Sequence, residues 1–117
     1  MTDEELKART KKYALRVIKL TDALPSTRAG NHIAVLLLRS GTSVGSNYRA
    51  VCRARSRADF IAKLGIVEEE ADESLYWMEL LIEAGLQKAT RLQSLMQEGA
   101  EILAIVCASI NTARARR

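Results

Sequence analysis

Apolar residues recur at three- and four-residue steps through almost the whole of this chain, and very little interrupts them. Leu6, Tyr13, Val17, Leu20 and Leu24 share one helical face, and Ile33, Leu37, Ser40/Gly41, Val44, Tyr48 and Val51 share another. Phe60, Leu64, Val67, Ala71, Leu75, Met78 and Ile82 mark a third face, and Leu92, Leu95, Gly99, Ile102, Val106 and Ile110 a fourth. One Pro and 6 Gly leave too few turns for strands and hairpins. At 48% hydrophobic the chain is not disordered, and a domain near this size buries roughly two-thirds of its unfolded surface without staples. Long helices with short connections become antiparallel neighbours. The expected fold is therefore all-α, an antiparallel up-down four-helix bundle forming a single domain over residues 1–117.

Start and stop signals place the helices at about 3–24, 27–55, 57–84 and 91–113. Thr2 with Glu5 reads as a capping box, Pro25 closes the first segment, and Ser26 is a candidate cap for the second. Ser56 caps the third with Asp59 at its N3 position, Gly85 sits where a C′ glycine belongs, and Thr90 with Gln93 forms a second capping box. Gly41 and Gly45 lie inside the second helix, where each costs about 1 kcal/mol against Ala. Close approach of another helix explains them. A phosphate loop does not, because no Gly-Lys-Ser/Thr follows and no strand precedes.

Net charge is +4, but its distribution is uneven. Residues 1–57 carry 12 Lys/Arg against 4 Asp/Glu, residues 58–85 carry 1 against 8, and residues 86–117 carry 5 against 2. Arg39, Ser46, Arg49 and Arg53 fall opposite the core stripe of the second helix, with Arg55 and Arg57 just beyond. Two readings fit this arginine ladder: a phosphate-contacting surface, or ion pairing with the acidic third helix of the same or a neighbouring subunit. On the third helix Ile66, Trp77, Leu80 and Ala84 lie away from the core face among Glu69, Glu70 and Glu73. This outer stripe, with Leu36 and Leu38 widening the apolar arc of the second helix, reads as a subunit interface or as a helix wrapped more fully by its own bundle.

Glu68, Asp72, Glu79 and Glu83 line a flank of the third helix, but a di-iron bundle needs Glu-x-x-His on two helices and His32 is the only histidine. Arg28 and His32 resemble the Arg-x(4–6)-His motif of helical ribonucleases, with a shorter spacing and no second copy. No Ser-His-Asp or Cys-His arrangement is available to so few candidates. Cys52 and Cys107 read as ordinary thiols, not as a disulfide or a ligand pair. Apolar runs such as Ile33 to Leu38 are far short of the about 20 residues a membrane span needs, and the acidic N-terminal residues do not resemble a targeting peptide. The expectation is a cytoplasmic, non-enzymatic protein with no cofactor and no membrane partner.

The run Arg39-Ser40-Gly41-Thr42-Ser43-Val44-Gly45-Ser46-Asn47, followed by Arg55-Ser56-Arg57-Ala58-Asp59-Phe60-Ile61, resembles the bacterial four-helix-bundle family named for proteins encoded in 23S ribosomal RNA intervening sequences. The likeness spans roughly residues 10–110. One departure is that Asn47 leads into Tyr48-Arg49-Ala50-Val51 where many members carry an Ala/Val-Glu-Gly run. The resemblance implies a homopentameric ring without established catalytic activity. A related accessory protein of diversity-generating retroelements implies two partners, nucleic acid and a reverse transcriptase. Arg39, Ser43 and Asn47 match the family pattern, and Ser43 with Asn47 reads as architectural, suited to interhelical hydrogen bonds. Two functions follow as expectations: RNA or other nucleic-acid binding through Arg39, Arg49, Arg53, Arg55 and Arg57, or a scaffold for a nucleic-acid enzyme with no direct nucleic-acid contact. In either case Ile66, Trp77 and Leu80 would join subunits.

Overall fold

Thr2 starts the first helix as its spacing from Glu5 predicts. Its Oγ1 accepts the Glu5 amide at 3.1 Å and donates to the Glu5 carboxylate at 3.2 Å, while Asp3, Glu4 and Glu5 favour the positive end of the helix dipole. In the computed structural model, which describes residues 1–116, four helices follow: α1 (Asp3–Asp22), α2 (Arg28–Val51), α3 (Arg57–Glu83) and α4 (Ala89–Ala115). Arg117, included in the expected domain range, lies outside the described residues.

Besides shifts of one or two residues at the ends of α1, α3 and α4, three boundaries differ from the sequence signals for a visible reason. Thr27, not Ser26, caps α2: its extended backbone lets Oγ1 accept the Gly30 amide at 3.0 Å. The Thr27 amide donates to the Pro25 carbonyl, which also occupies the space a Cβ on residue 30 would need. Thr90 is not a cap, because α4 is already helical at Ala89 and Lys88 precedes it without a side-chain cap bond. The reason lies upstream, where Gly85 at φ 72° forms a Schellman turn. Leu86 donates to the Leu81 carbonyl and Gly85 to that of Ile82, so the chain reverses tightly and re-enters a helix two residues early. The third difference, the early end of α2, bears on the candidate site and is described there.

The helices pack in sequential order around a square: α1 on α2, α2 on α3, α3 on α4, and α4 back on α1 at the loosest of the four seams. The long axis of 50 Å against 20 Å in the other two directions fits helices of 20 to 27 residues standing side by side. Leu6, Tyr13, Val17, Leu37, Val44, Leu64, Val67, Met78, Leu92, Ile102 and Val106 fill the centre. Full burial of one such aliphatic side chain contributes about 1.5–3 kcal/mol. Ser74 and Leu81 join the core of α3 as well, while Phe60, Leu75 and Ile82 are only half-buried.

Two features fix which faces meet. On the α1–α2 seam a Cβ at residue 41 would stand 2.7 Å from the Val17 side chain, and one at residue 45 would stand 3.3 Å from Thr10, so the glycines admit α1 to close contact. Across the centre, Tyr13 on α1 reaches the diagonal helix: its hydroxyl lies 2.8 Å from Ser74 Oγ, which donates to the Ala71 carbonyl. Gly99 on α4 leaves room for that phenol, since a Cβ there would come within 2.7 Å of the hydroxyl oxygen. Burial pushes the Tyr13 phenol up to about 12, with the Ser74 bond opposing the shift. This polar crosslink in an apolar centre favours one rotational setting of α1 against α3.

Candidate nucleic-acid interface

The up-down topology gathers the end of α2, the start of α3, the start of α1 and the end of α4 at one end of the bundle. Helix α2 stops at Val51, four residues before the expected Arg55. Cys52, Arg53 and Ala54 form a turn in which the Arg53 amide donates to Ala50 and the Ala54 amide to Val51. The start of α3 captures the chain beyond it: Ser56 Oγ accepts the Asp59 amide at 3.0 Å, and Asp59 Oδ2 accepts the Arg55 amide at 3.1 Å. These bonds compete with continuation of α2. Arg53 is consequently in the turn and not on the helical ladder, and Arg57 is the first residue of α3.

All five arginines proposed from the sequence, Arg39, Arg49, Arg53, Arg55 and Arg57, are exposed. The structure divides them by their carboxylate partners. Arg39 Nη2 lies 3.4 Å from Glu73 Oε2 in a solvent-exposed pair. Arg49, Arg53, Arg55 and Arg57 have no ion-pair partner among the described residues. Asp59, the carboxylate nearest in sequence, is already engaged by Lys63 Nζ at 2.8 Å and by the Arg55 amide, and these bonds hold it below its ordinary range, Lys63 most strongly. A shallow groove here is lined by Ala50, Arg53, Arg55, Asp59 and Lys63. A second, sharing Arg55, includes Arg57, Phe60 and Arg116 together with one acid, Asp3, whose carboxylate accepts from the Tyr48 hydroxyl at 3.2 Å.

Mutual neutralisation of the basic half by the acidic helix is therefore confined, among the described residues, to Arg39–Glu73. The physical reason is direction. Helix α3 leaves the arginine-rich junction and carries Glu69, Asp72, Glu79 and Glu83 up the bundle, where they are exposed. Glu68 accepts from Cys107 Sγ at 3.1 Å instead, which pushes that thiol up. Sequence reasoning missed the contribution of α4, whose Arg114 and Arg116 arrive at the same end; the basic last segment was the available signal.

It also missed the strongest ion pair. Arg9 on α1 binds Glu98 on α4 through Nε and Nη2, both at 2.7 Å, and reaches Glu101 at 3.2 Å, while Arg16 donates to Ser94 at 2.9 Å. The bond from Arg9 pulls Glu98 below the ordinary carboxylate range and raises the Arg9 guanidinium. Glu70, by contrast, has an enclosed oxygen with no hydrogen-bond partner, and burial raises its carboxyl, with Glu73 adding repulsion.

Ser43 and Asn47 do not bond across helices. Ser43 donates to the Arg39 carbonyl at 2.6 Å and Asn47 Nδ2 to the Ser43 carbonyl at 2.8 Å, both along α2 itself. Of the outer stripe, Ile66 is 45% exposed, whereas Trp77 and Leu80 are half-buried against the core of their own bundle. The Trp77 Nε1 group is enclosed without an acceptor. The aromatic residue that does stand outward is Tyr76, 51% exposed and edge-on to Trp77 with ring centroids 5.1 Å apart. His32 is exposed near the start of α2. No group of three or more His, Cys, Asp or Glu side chains among the described residues is placed to hold a metal ion. None of the described helices is long and apolar enough to cross a membrane.

A solved structure of a protein of unknown function from the S23 ribosomal protein family of Bacteroides thetaiotaomicron VPI-5482 is similar throughout. The two chains are 35% identical and superpose with a TM-score of 0.87, covering 95% of this chain and 99% of the other. No curated protein matches. The sequence also matches the family described as 23S rRNA-intervening sequence protein over residues 2–108. With α1 to α3, most of α4, the Arg39–Asn47 segment and the α2–α3 junction inside that span, the chain belongs to the 23S rRNA-intervening sequence protein family.

Proposed function

We propose that this protein is a non-enzymatic, cytoplasmic four-helix bundle that assembles with copies of itself and binds RNA through its basic end. The observation that carries the reading is the exposure of Arg49, Arg53, Arg55 and Arg57 without carboxylate partners among the described residues. Guanidinium groups in this state lose little by turning to phosphate oxygens, which they match as a planar fork. The core holds Tyr13 and Tyr48, and no aromatic platform lines the grooves beside Arg53 and Arg55 apart from Phe60. Contacts of this kind follow the phosphate backbone and carry little base specificity. Arg39, already near Glu73, is a peripheral member of the surface.

Self-association is supported by the apolar side chains left exposed on the single chain, Ile66 among them, with Trp77 and Leu80 beneath. A homopentamer is what the family resemblance implies. The test is RNA affinity against salt. Binding should fall with a log–log slope of about −0.7 per phosphate contacted for single-stranded RNA. Arg53→Glu with Arg57→Glu should flatten that slope. A slope near zero, or affinity unchanged by the double substitution, would remove RNA binding and leave a protein-docking scaffold as the role of this surface.

A further inference from the structure

Apart from Met1, the large apolar side chains that remain exposed among the described residues fall on two surfaces. The first is the outer groove between α1 and α2. Ile18 on α1 and Val35 and Leu38, one turn apart on α2, border it, and Leu15 stands one turn before Ile18 on the outward side of α1; Leu15 is 59% and Val35 65% exposed. The contact of Val17 with Gly41 locks the helices at this level, so Ile18 and Leu38 flank the same seam. Farther along, the groove is lined by Lys7, Lys11, Thr42, Ser46 and Arg49, with Glu4 the only acid.

The second surface is the outward side of α3, where Ile66 and Tyr76 are exposed and Tyr76 rests on Trp77. Its charges are of the opposite sign. Glu69, Asp72, Glu79 and Glu83 are exposed there, and no Lys or Arg occurs between Lys63 and Lys88. One surface is thus a groove with apolar and basic stretches, and the other a convex helix face with apolar and acidic positions. They complement each other in shape and sign, and neither complements itself.

We propose that the α1–α2 groove of one copy receives the outward face of α3 from a second copy, with Tyr76 as the aromatic anchor and the α3 acids facing Lys11. The proposal rests on the self-association reading above and assigns its geometry. Joining two different surfaces makes the contact heterologous, so every copy can give one face and accept the other. Burial of an aromatic anchor in an apolar groove, ringed by opposite charges, is the arrangement that concentrates binding energy at an interface.

The test uses two full-length variants that each spoil one surface: Val35→Asp/Leu38→Asp for the groove, and Ile66→Asp/Tyr76→Asp for α3. Thermal unfolding checks that each is folded, and Ile18→Glu replaces the groove variant if it is not. By light scattering, wild type should exceed the mass of one chain, and each variant alone should weaken self-association about a hundredfold. Mixed in equal amounts, the variants should form a heterodimer, because one retains an intact groove and the other an intact α3 face. Variants that keep the wild-type mass, or a mixture that stays monomeric, would overturn this pairing of surfaces. A wild-type protein that is monomeric at every concentration would overturn self-association itself.

Discussion

On the α1–α4 seam, Arg9 grips Glu98 through two bonds of 2.7 Å and reaches Glu101, whereas at the α2–α3 end Arg53, Arg55 and Arg57 have no carboxylate partner among the described residues. The side chains are chemically identical, so the difference comes from what the neighbouring helix presents. Helices α1 and α4 stand apart at the loosest seam of the bundle, and long polar side chains bridge the gap. At the junction the arginines are exposed, and the two acids that line its grooves are engaged by other groups: Asp59 by Lys63 and a backbone amide, Asp3 by the Tyr48 hydroxyl at 3.2 Å. A half-buried bidentate pair serves the fold; exposed, unpaired guanidinium groups are available to a polyanion.

Reversing the junction charges should produce the largest effect. Arg53→Glu/Arg55→Glu/Arg57→Glu is expected to weaken RNA binding about a hundredfold or more near physiological salt. Its thermal midpoint should stay close to wild type, checked by filter binding alongside circular dichroism. If stability collapses with affinity, the junction arginines serve the fold after all and the contrast with Arg9 fails.

Arg9→Ala should do the reverse, lowering stability by about 1–2 kcal/mol in urea unfolding while RNA affinity holds. Glu98→Gln should lose part of the same stabilisation at pH 7, with a characteristic pH dependence. Because Arg9 holds Glu98 below the ordinary carboxylate range, the pair contributes fully above the unfolded value of about 4.3. That contribution disappears as pH falls through the lower folded value, so variant and wild type should converge in acid. A gap independent of pH would show that the substitution acts by packing.

Glu70→Gln should shift stability the other way, by at most about 1 kcal/mol, because the ionised carboxylate has an enclosed oxygen without a partner. Burial raises the folded value of Glu70, so wild type loses stability as pH rises from the unfolded carboxylate range through the folded one. The variant's advantage should therefore appear at neutral pH and vanish in acid. Arg39→Ala, which removes only the exposed pair with Glu73, should change stability by less than about 0.5 kcal/mol.

Much of the fold was legible because its signals are local or periodic. The buried positions of α4, from Leu92 through Ile110, are those of its apolar repeat, and Thr2, Ser56 and Gly85 act as their residue types require. Gly41 and Gly45 mark a close helix seam, as two glycines inside a strong helix pattern suggested. Local signals misled where a second group competed for the same backbone. Asp59 and Ser56 end the run of α2 that the arginine ladder assumed, and the Schellman turn at Gly85 starts α4 ahead of Thr90. Ser43 and Asn47 carried the family pattern, yet the nearest acceptors are carbonyls one turn back on their own helix.

The candidate surface was legible as composition and not as pairing. The sequence by itself determined four amphipathic helices, their approximate ends and the excess of arginine around the α2–α3 junction, because helical period and capping depend on neighbours a few residues away. Only the tertiary structure decided which of those arginines meet a carboxylate. Arg9 and Glu98 lie 89 residues apart in the chain and 2.7 Å apart in the fold, while the arginines of the junction and the acids of α3 are close in sequence and carried apart by a helix that runs the length of the bundle. Coulomb attraction acts over distances in space, and in a four-helix bundle those distances are set by how the helices are packed.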